Sequence, residues 1–321
     1  MKNTMEEESS SEIKLLLQGV IPECQSEMDE YFKKYSTYIF RCQDRPGFHV
    51  EAGPFGILKF TQRSMHQMWI LGFAAMEALN SYAGIIKILQ STGEQLDLNI
   101  LGNHPAITYD QKRYQNLIES VLILNTEENL TSFQWPNRIP SPLNRKPKDI
   151  NGAAAFDLIC MSGAYVFLHE IRHIQFSIEG NSPSDKHEEE LECDSFAKEM
   201  MLSKIAHYSK KSGDDIKLVR SKRAVSICFA LFYMLVLTPR ESWSGTESHP
   251  SIKARIEILS YELELGDEDN LWMFMATLFL SHLIYVKTNT FLLEFKTTKD
   301  LAMSLVSEIE NSSNQMFHRT R

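Results

Sequence analysis

His169 and His173 stand four residues apart, with Glu170 beside the first, in the run His169-Glu170-Ile171-Arg172-His173. On an α-helix of about 3.6 residues per turn, positions i and i+4 share a face, so both imidazoles can point at one ion. This H-E-x-x-H spacing also sets a carboxylate close enough to take a proton from water held by that ion. A hydrolytic zinc site uses three protein ligands and keeps a fourth position open. Glu190 is the first choice for the third ligand, in the run Glu190-Leu191-Glu192-Cys193-Asp194. Glu192 is the alternative ligand, and the plainer reading of Glu188, Glu189, Glu190 and Glu192 is an acidic run lining a solvated helix face near its N-terminus. Asp194 shares a face with Glu190 and can accept the free N–H of a ligating imidazole, fixing its tautomer. His187 qualifies as a ligand by type only, and its place in a first helical turn favours a surface role. Cys193 reads as a small buried hydrophobe.

Long apolar helices must carry these groups. From Gly152 the chain reads GAAAFDLICMSGAYVFLHEIRHIQFSIEG, with no charge between Leu158 and Leu168 and with Gly180 as a C-terminal cap. A helix apolar on nearly every side belongs in a core. Asp185 with Glu188 three residues on forms a capping box and starts a second helix, whose Cys193, Phe196, Ala197, Met200 and Met201 would pack on the first. Upstream, Phe48–Glu51 and Ile57–Thr61 read as a hairpin punctuated by Gly53-Pro54-Phe55-Gly56, and Met65–Gln90 returns to helical spacing. Residues Trp135–Asp149 are rich in proline, asparagine and lysine, a loop placed to join an N-terminal region to the catalytic helices. Ser248-His249-Pro250-Ser251 precedes another helix start. His249 and Arg255 are candidates to stabilise the negative charge that amide hydrolysis builds on a tetrahedral oxygen; the plainer alternative is an exposed loop histidine and a surface arginine.

With 321 residues, 43% of them hydrophobic, the chain can fill one large domain or two modest ones. The division expected is a flexible acidic tail over 1–15, a metallopeptidase domain over 16–310 with an α/β region to about residue 150, and a tail over 311–321. The net charge of −9, without a basic stripe, argues against a nucleic-acid partner. Five cysteines without regular spacing suggest reduced thiols and a cytoplasmic protein. Ala224–Leu237 and Leu271–Val286 are apolar but fall short of the roughly 20 residues that span a bilayer, so core helices are expected and membrane association is the lesser reading. The fold predicted is predominantly α with a small β element (α+β), a zincin-like H-E-x-x-H helix packed against a second helix carrying the glutamate ligand. The competing function is a regulatory binding protein whose zinc is structural or vestigial, closed by a fourth ligand from Cys193 or His187.

The combination of H-E-I-R-H, E-E-x-E-C-D-S-x-A and S-H-P-S-x-x-x-R-I resembles the Lit-type phage-exclusion peptidases, whose corresponding stretches run H-E-x-x-H, E-E-x-E-A-D and T-H-P-x-x-x-x-R-I. Pro46-Gly47-Phe48, Trp135-Pro136 and the apolar helix after Lys222-Arg223-Ala224 extend the likeness over most of the chain. Cys193 stands where the pattern has alanine, and Ser248 where it has threonine. The resemblance implies a cytoplasmic endopeptidase with one Zn2+ per chain, held by His169, His173 and Glu190, with Glu170 as general base. It also sets His249 and Arg255 on the family's His-Pro and Arg positions. The family activity it implies is abortive infection, in which a phage-derived peptide triggers cleavage of translation elongation factor Tu.

Overall fold

The computed structural model describes residues 12–35, 37–102, 104–142, 146–286 and 292–319. It is mostly helical. Helix α1 covers residues 12–20, followed by α2 (Gln25–Lys34), α3 (Gln62–Thr92), the short α4 (Leu98–Gly102) and α5 (Pro105–Thr126). Then come α6 (Ile150–Glu179), α7 (Lys186–Leu202), α8 (Ile205–Ser212), α9 (Ile216–Leu237), α10 (Ile252–Glu262), α11 (Asn270–Tyr285) and α12 (Thr298–Arg319). Strands β1 (Tyr38–Arg41), β2 (Val50–Ala52) and β3 (Ile57–Phe60) form one sheet in the order β1-β3-β2; β4 (Leu96–Asp97) and β5 (Leu292–Leu293) form a second, two-stranded one.

Short polar side chains set the helix starts. Thr61, Asp149, Asp185, Asp215, Ser251 and Asp269 each accept a backbone N–H from the first turn of α3, α6, α7, α9, α10 and α11 respectively, satisfying donors that have no partner inside the helix. Gly180 closes α6 at φ 67, the left-handed conformation a C-cap needs.

Helix α6 is the axis of the molecule. α7 folds back along it, α9 and α3 pack on other sides, and β2, β3 and the 3-10 turn Pro54–Gly56 lie over it. The α3 crossing is close enough that glycine is required: a Cβ on Gly72 would sit 2.2 Å from Ile159 Cγ1. α3 also packs on α5 and α11, and α12 on α11 and α10. Their buried side chains, from Ile13 to Ile309, join in one contiguous core, so the 135–149 loop connects elements of that core rather than two separate ones.

The hairpin expected from Phe48–Glu51 and Ile57–Thr61 is the antiparallel β2–β3 pair, with Val50 opposite Phe60 and Ala52 opposite Leu58. Strand β1, which local pattern did not announce, runs parallel to β3 on its other side, leaving β2 at the edge. Both supposed tails need correction within the described residues. Residues 12–15 belong to α1, where Ile13 is buried, and α12 runs on to Arg319. α1 is tied down because the buried Arg223 guanidinium on α9 pairs with Glu23 and donates to the Val20 carbonyl at 3.0 Å.

The runs Ala224–Leu237 and Leu271–Val286 fall in α9 and α11, whose residues are largely buried, as expected of core helices. By length and composition alone, α3 and α6 could cross a membrane, yet 56% of each apolar window is buried inside the molecule.

Candidate metal centre

His169 and His173 project from one face of α6 toward α7, and α7 presents Glu190 to both. His169 Nε2 lies 3.3 Å from His173 Nε2 and 3.4 Å from Glu190 Oε2, and His173 Nε2 lies 3.3 Å from Glu190 Oε1. A tetrahedral ion with bonds of about 2.0–2.1 Å needs donor atoms about 3.3–3.4 Å apart. By their nearest atoms the three side chains form a triangle of the size a zinc-sized cation needs, with Glu190 facing each imidazole through a different oxygen.

Behind the triangle, each imidazole has a second carboxylate. His169 Nδ1 lies 3.0 Å from Asp194 Oδ1, and His173 Nδ1 lies 2.9 Å from Glu189 Oε1. Those partners favour a proton on both Nδ1 atoms, so each imidazole would offer Nε2 to a cation at the centre. Asp194 is itself gripped. Tyr165 Oη, one turn before His169 on α6, donates to its Oδ1 at 2.8 Å, and Arg255 on α10 donates from Nε and Nη2 at 2.7 and 2.6 Å. Arg255 Nη1 also reaches to 3.5 Å from Glu190 Oε2.

The charges in this network are strongly perturbed. Burial works against ionised Asp194, but the Arg255 charge and the His169 bond hold its carboxyl well below the usual range. Burial likewise opposes charge on Glu190, and bonds from both histidines override it. Burial pulls the other way on His169 too, yet Asp194 and Glu190 raise its imidazole above the ordinary value. Uptake of a cation by this donor set would displace a proton from His169.

Glu170, next to His169, is pushed up by burial, and its Oε2 accepts the Ala52 N–H of edge strand β2 at 2.7 Å. His249 stands on the open side, its Nε2 3.6 Å from Glu190 Oε1 and its side chain 57% exposed. Arg255, by contrast, is buried behind the ligands at 5% exposure. Of the two, His249 alone is exposed beside the centre, because the Arg255 guanidinium is turned inward onto Asp194. Glu192 takes no part in the triangle and lies 3.6 Å from Arg172.

Cys193 offers another grouping, since one donor atom each from His169, His173 and Cys193 lies within 4.8 Å of the others. Burial, then the Glu190 and Asp194 charges, drives the thiol pKa far up. Glu190 meets both imidazoles at 3.3–3.4 Å, through different oxygens.

Glu189, Tyr165 and the Ala52 amide were not foreseen. Tyr165 carried a signal, lying four residues before His169 on the same helical face. Glu189 was hidden in the acidic run, and the Ala52–Glu170 contact spans 118 residues.

A helix pair that brings two imidazoles and a carboxylate together beside a half-buried glutamate defines a candidate hydrolase centre. The Peptidase U49 model matches residues 58–275, well over half of the chain, and the chain belongs to that family of Lit-type proteases. It is accordingly a peptidase, and the family is one of metallopeptidases. The matched stretch runs from β3 into α11 and includes His169, Glu170, His173, Glu190, Asp194, His249 and Arg255. No curated protein and no solved structure matches the chain.

Proposed function

We propose that this chain is a zinc-dependent endopeptidase that hydrolyses a peptide bond in a host protein. The single observation that carries the reading is the convergence of His169, His173 and Glu190, with nearest donor atoms 3.3–3.4 Å apart, beside the half-buried Glu170. A zinc ion held there would supply Lewis acidity, making water acidic enough to ionise near neutral pH and polarising the scissile carbonyl. Glu170, raised by burial, accepts the proton from the attacking water and returns it to the leaving amine. The Ala52 N–H orients that carboxylate. His249, on the open side, donates to the oxygen that gains negative charge. Asp194 and Glu189 fix the imidazole tautomers, and Arg255 keeps Asp194 and Glu190 ionised in a buried setting; these three are positioning residues.

The family likeness extends the proposal to abortive infection, with elongation factor Tu as target and a phage-derived peptide as trigger, in the cytoplasm. A second reading, a structural zinc site closed by sulfur in a regulatory protein, draws on the proximity of Cys193 to both histidines.

The test compares the wild type with Glu170→Gln, expressed with and without phage infection, by mapping new protein N-termini. Both proteins should contain about one zinc per chain, since three ligands remain. Only the wild type should generate a new terminus, and His169→Ala should lose both metal and cleavage. Cleavage that persists in Glu170→Gln sinks the general-base assignment; identical termini throughout sink the peptidase reading of this site.

A further inference from the structure

The loop that presents His249 is held from two ends, and one anchor comes from the helix that carries Glu190. Within the loop, Thr246 N–H donates to the His249 carbonyl at 2.9 Å, while Thr246 Oγ1 accepts the N–H groups of Ser248 and His249 at 3.3 and 3.1 Å. Gly245 makes this fold possible. Its φ is +96, and a Cβ there would lie 3.0 Å from Ser251 N and 3.1 Å from the His249 carbonyl. Downstream, Ile252 N–H donates to the Trp243 carbonyl at 3.1 Å, closing the base of the loop. Ser248 Oγ sits 2.8 Å from His249 Nδ1 and steadies the ring.

The Thr246 carbonyl points out of this knot and meets His187 Nε2 at 2.8 Å. His187 lies in the first turn of α7, three residues before Glu190, with its own N–H bonded to Asp185 Oδ1. A carbonyl can only accept, so His187 donates. The bond ties the His249 loop to the same helix end that supplies the carboxylate of the triangle.

We infer that His187 is a positioning residue: it straps the 245–251 loop to α7 so that His249 stands at a fixed distance from Glu190. The inference rests on the reading of His249 as the group that meets the developing negative charge. Without the strap, the internal knot opens more often and the loop can swing about its base at residues 243 and 252. A misplacement of about 1 Å at such a group can lower a rate by as much as about a hundredfold, and partial restraint by the knot argues for about tenfold.

The test uses the full-length chain as wild type, His187→Ala and His187→Gln. Glutamine keeps an N–H donor at similar reach and suits a helical first turn. Amide hydrogen exchange in the metal-free protein is read at Thr246 and His249, and kinetics are read on purified elongation factor Tu. In His187→Ala, exchange at those two amides should rise about tenfold, with α7 beyond its first turn unchanged. kcat should fall about tenfold with KM within about twofold, and His187→Gln should behave as wild type in both measurements. Unchanged exchange in His187→Ala overturns the inference, as does a fall in kcat that glutamine does not restore. If wild type leaves elongation factor Tu intact without the phage-derived trigger, the exchange measurement alone decides the strap.

Discussion

Two histidines one turn apart become a metal site only when something fixes their tautomers, and here carboxylates on α7 do so from behind. Glu189 is the partner of His173, half-buried and itself bridged to Lys186 at 2.7 Å. Glu189→Ala should lower zinc affinity by about 10–100-fold while leaving the fold intact, as measured by competition with a chromophoric chelator. An affinity equal to wild type would remove Glu189 from the account. A different histidine bears on acid stability. His282 is buried on α11 against the rings of Phe232, Trp243 and Tyr285, and burial pushes its pKa down to about 3. In the unfolded chain the value is about 6.5. Between those limits the unfolded state binds the extra proton, so stability falls as pH drops from about 6.5 toward 3, by up to about 1.4 kcal/mol per unit. His282→Phe should remove that part of the slope, shown by urea unfolding at pH 7 and pH 5. Equal slopes for the two proteins would contradict the burial argument.

At the scale of elements, the site depends on how closely α3, α7 and the β2–β3 hairpin approach α6. Gly72→Ala forces a methyl against Ile159 and should cost about 1–3 kcal/mol by overpacking, with Ile159→Val recovering part of it. An unchanged urea midpoint in Gly72→Ala would mean the helices separate freely. The helix pair itself was legible: spacing gave the α6 histidines, Gly180 and Asp185 marked the turn, and the Cys193–Ala197–Met201 face packs inward as its apolar pattern requires. Other features were not legible, for a physical reason. β1 is four residues long and is specified by its non-local pairing with β3, and the Ala52 amide reaches Glu170 only after the edge strand docks on α6. His187 was expected at the surface; it is half-buried because a loop 59 residues away folds back onto it.

Across the whole molecule, one core from α1 to α12 surrounds a polar centre. Within it the buried Asp194 and Arg255 each have an opposite charge within hydrogen-bond reach, which offsets the cost of burying them. Family membership identifies a peptidase, whereas the ligand set is a reading of geometry, and X-ray absorption at the zinc edge tests it most directly. On the zinc-loaded wild type, the account predicts two imidazole nitrogens with oxygen donors at about 2.0–2.1 Å and no sulfur shell. Glu190→Ala should lose most of the metal. A sulfur scatterer at about 2.3 Å would place Cys193 on the ion and contradict the hydrolytic site, as would full zinc retention without Glu190.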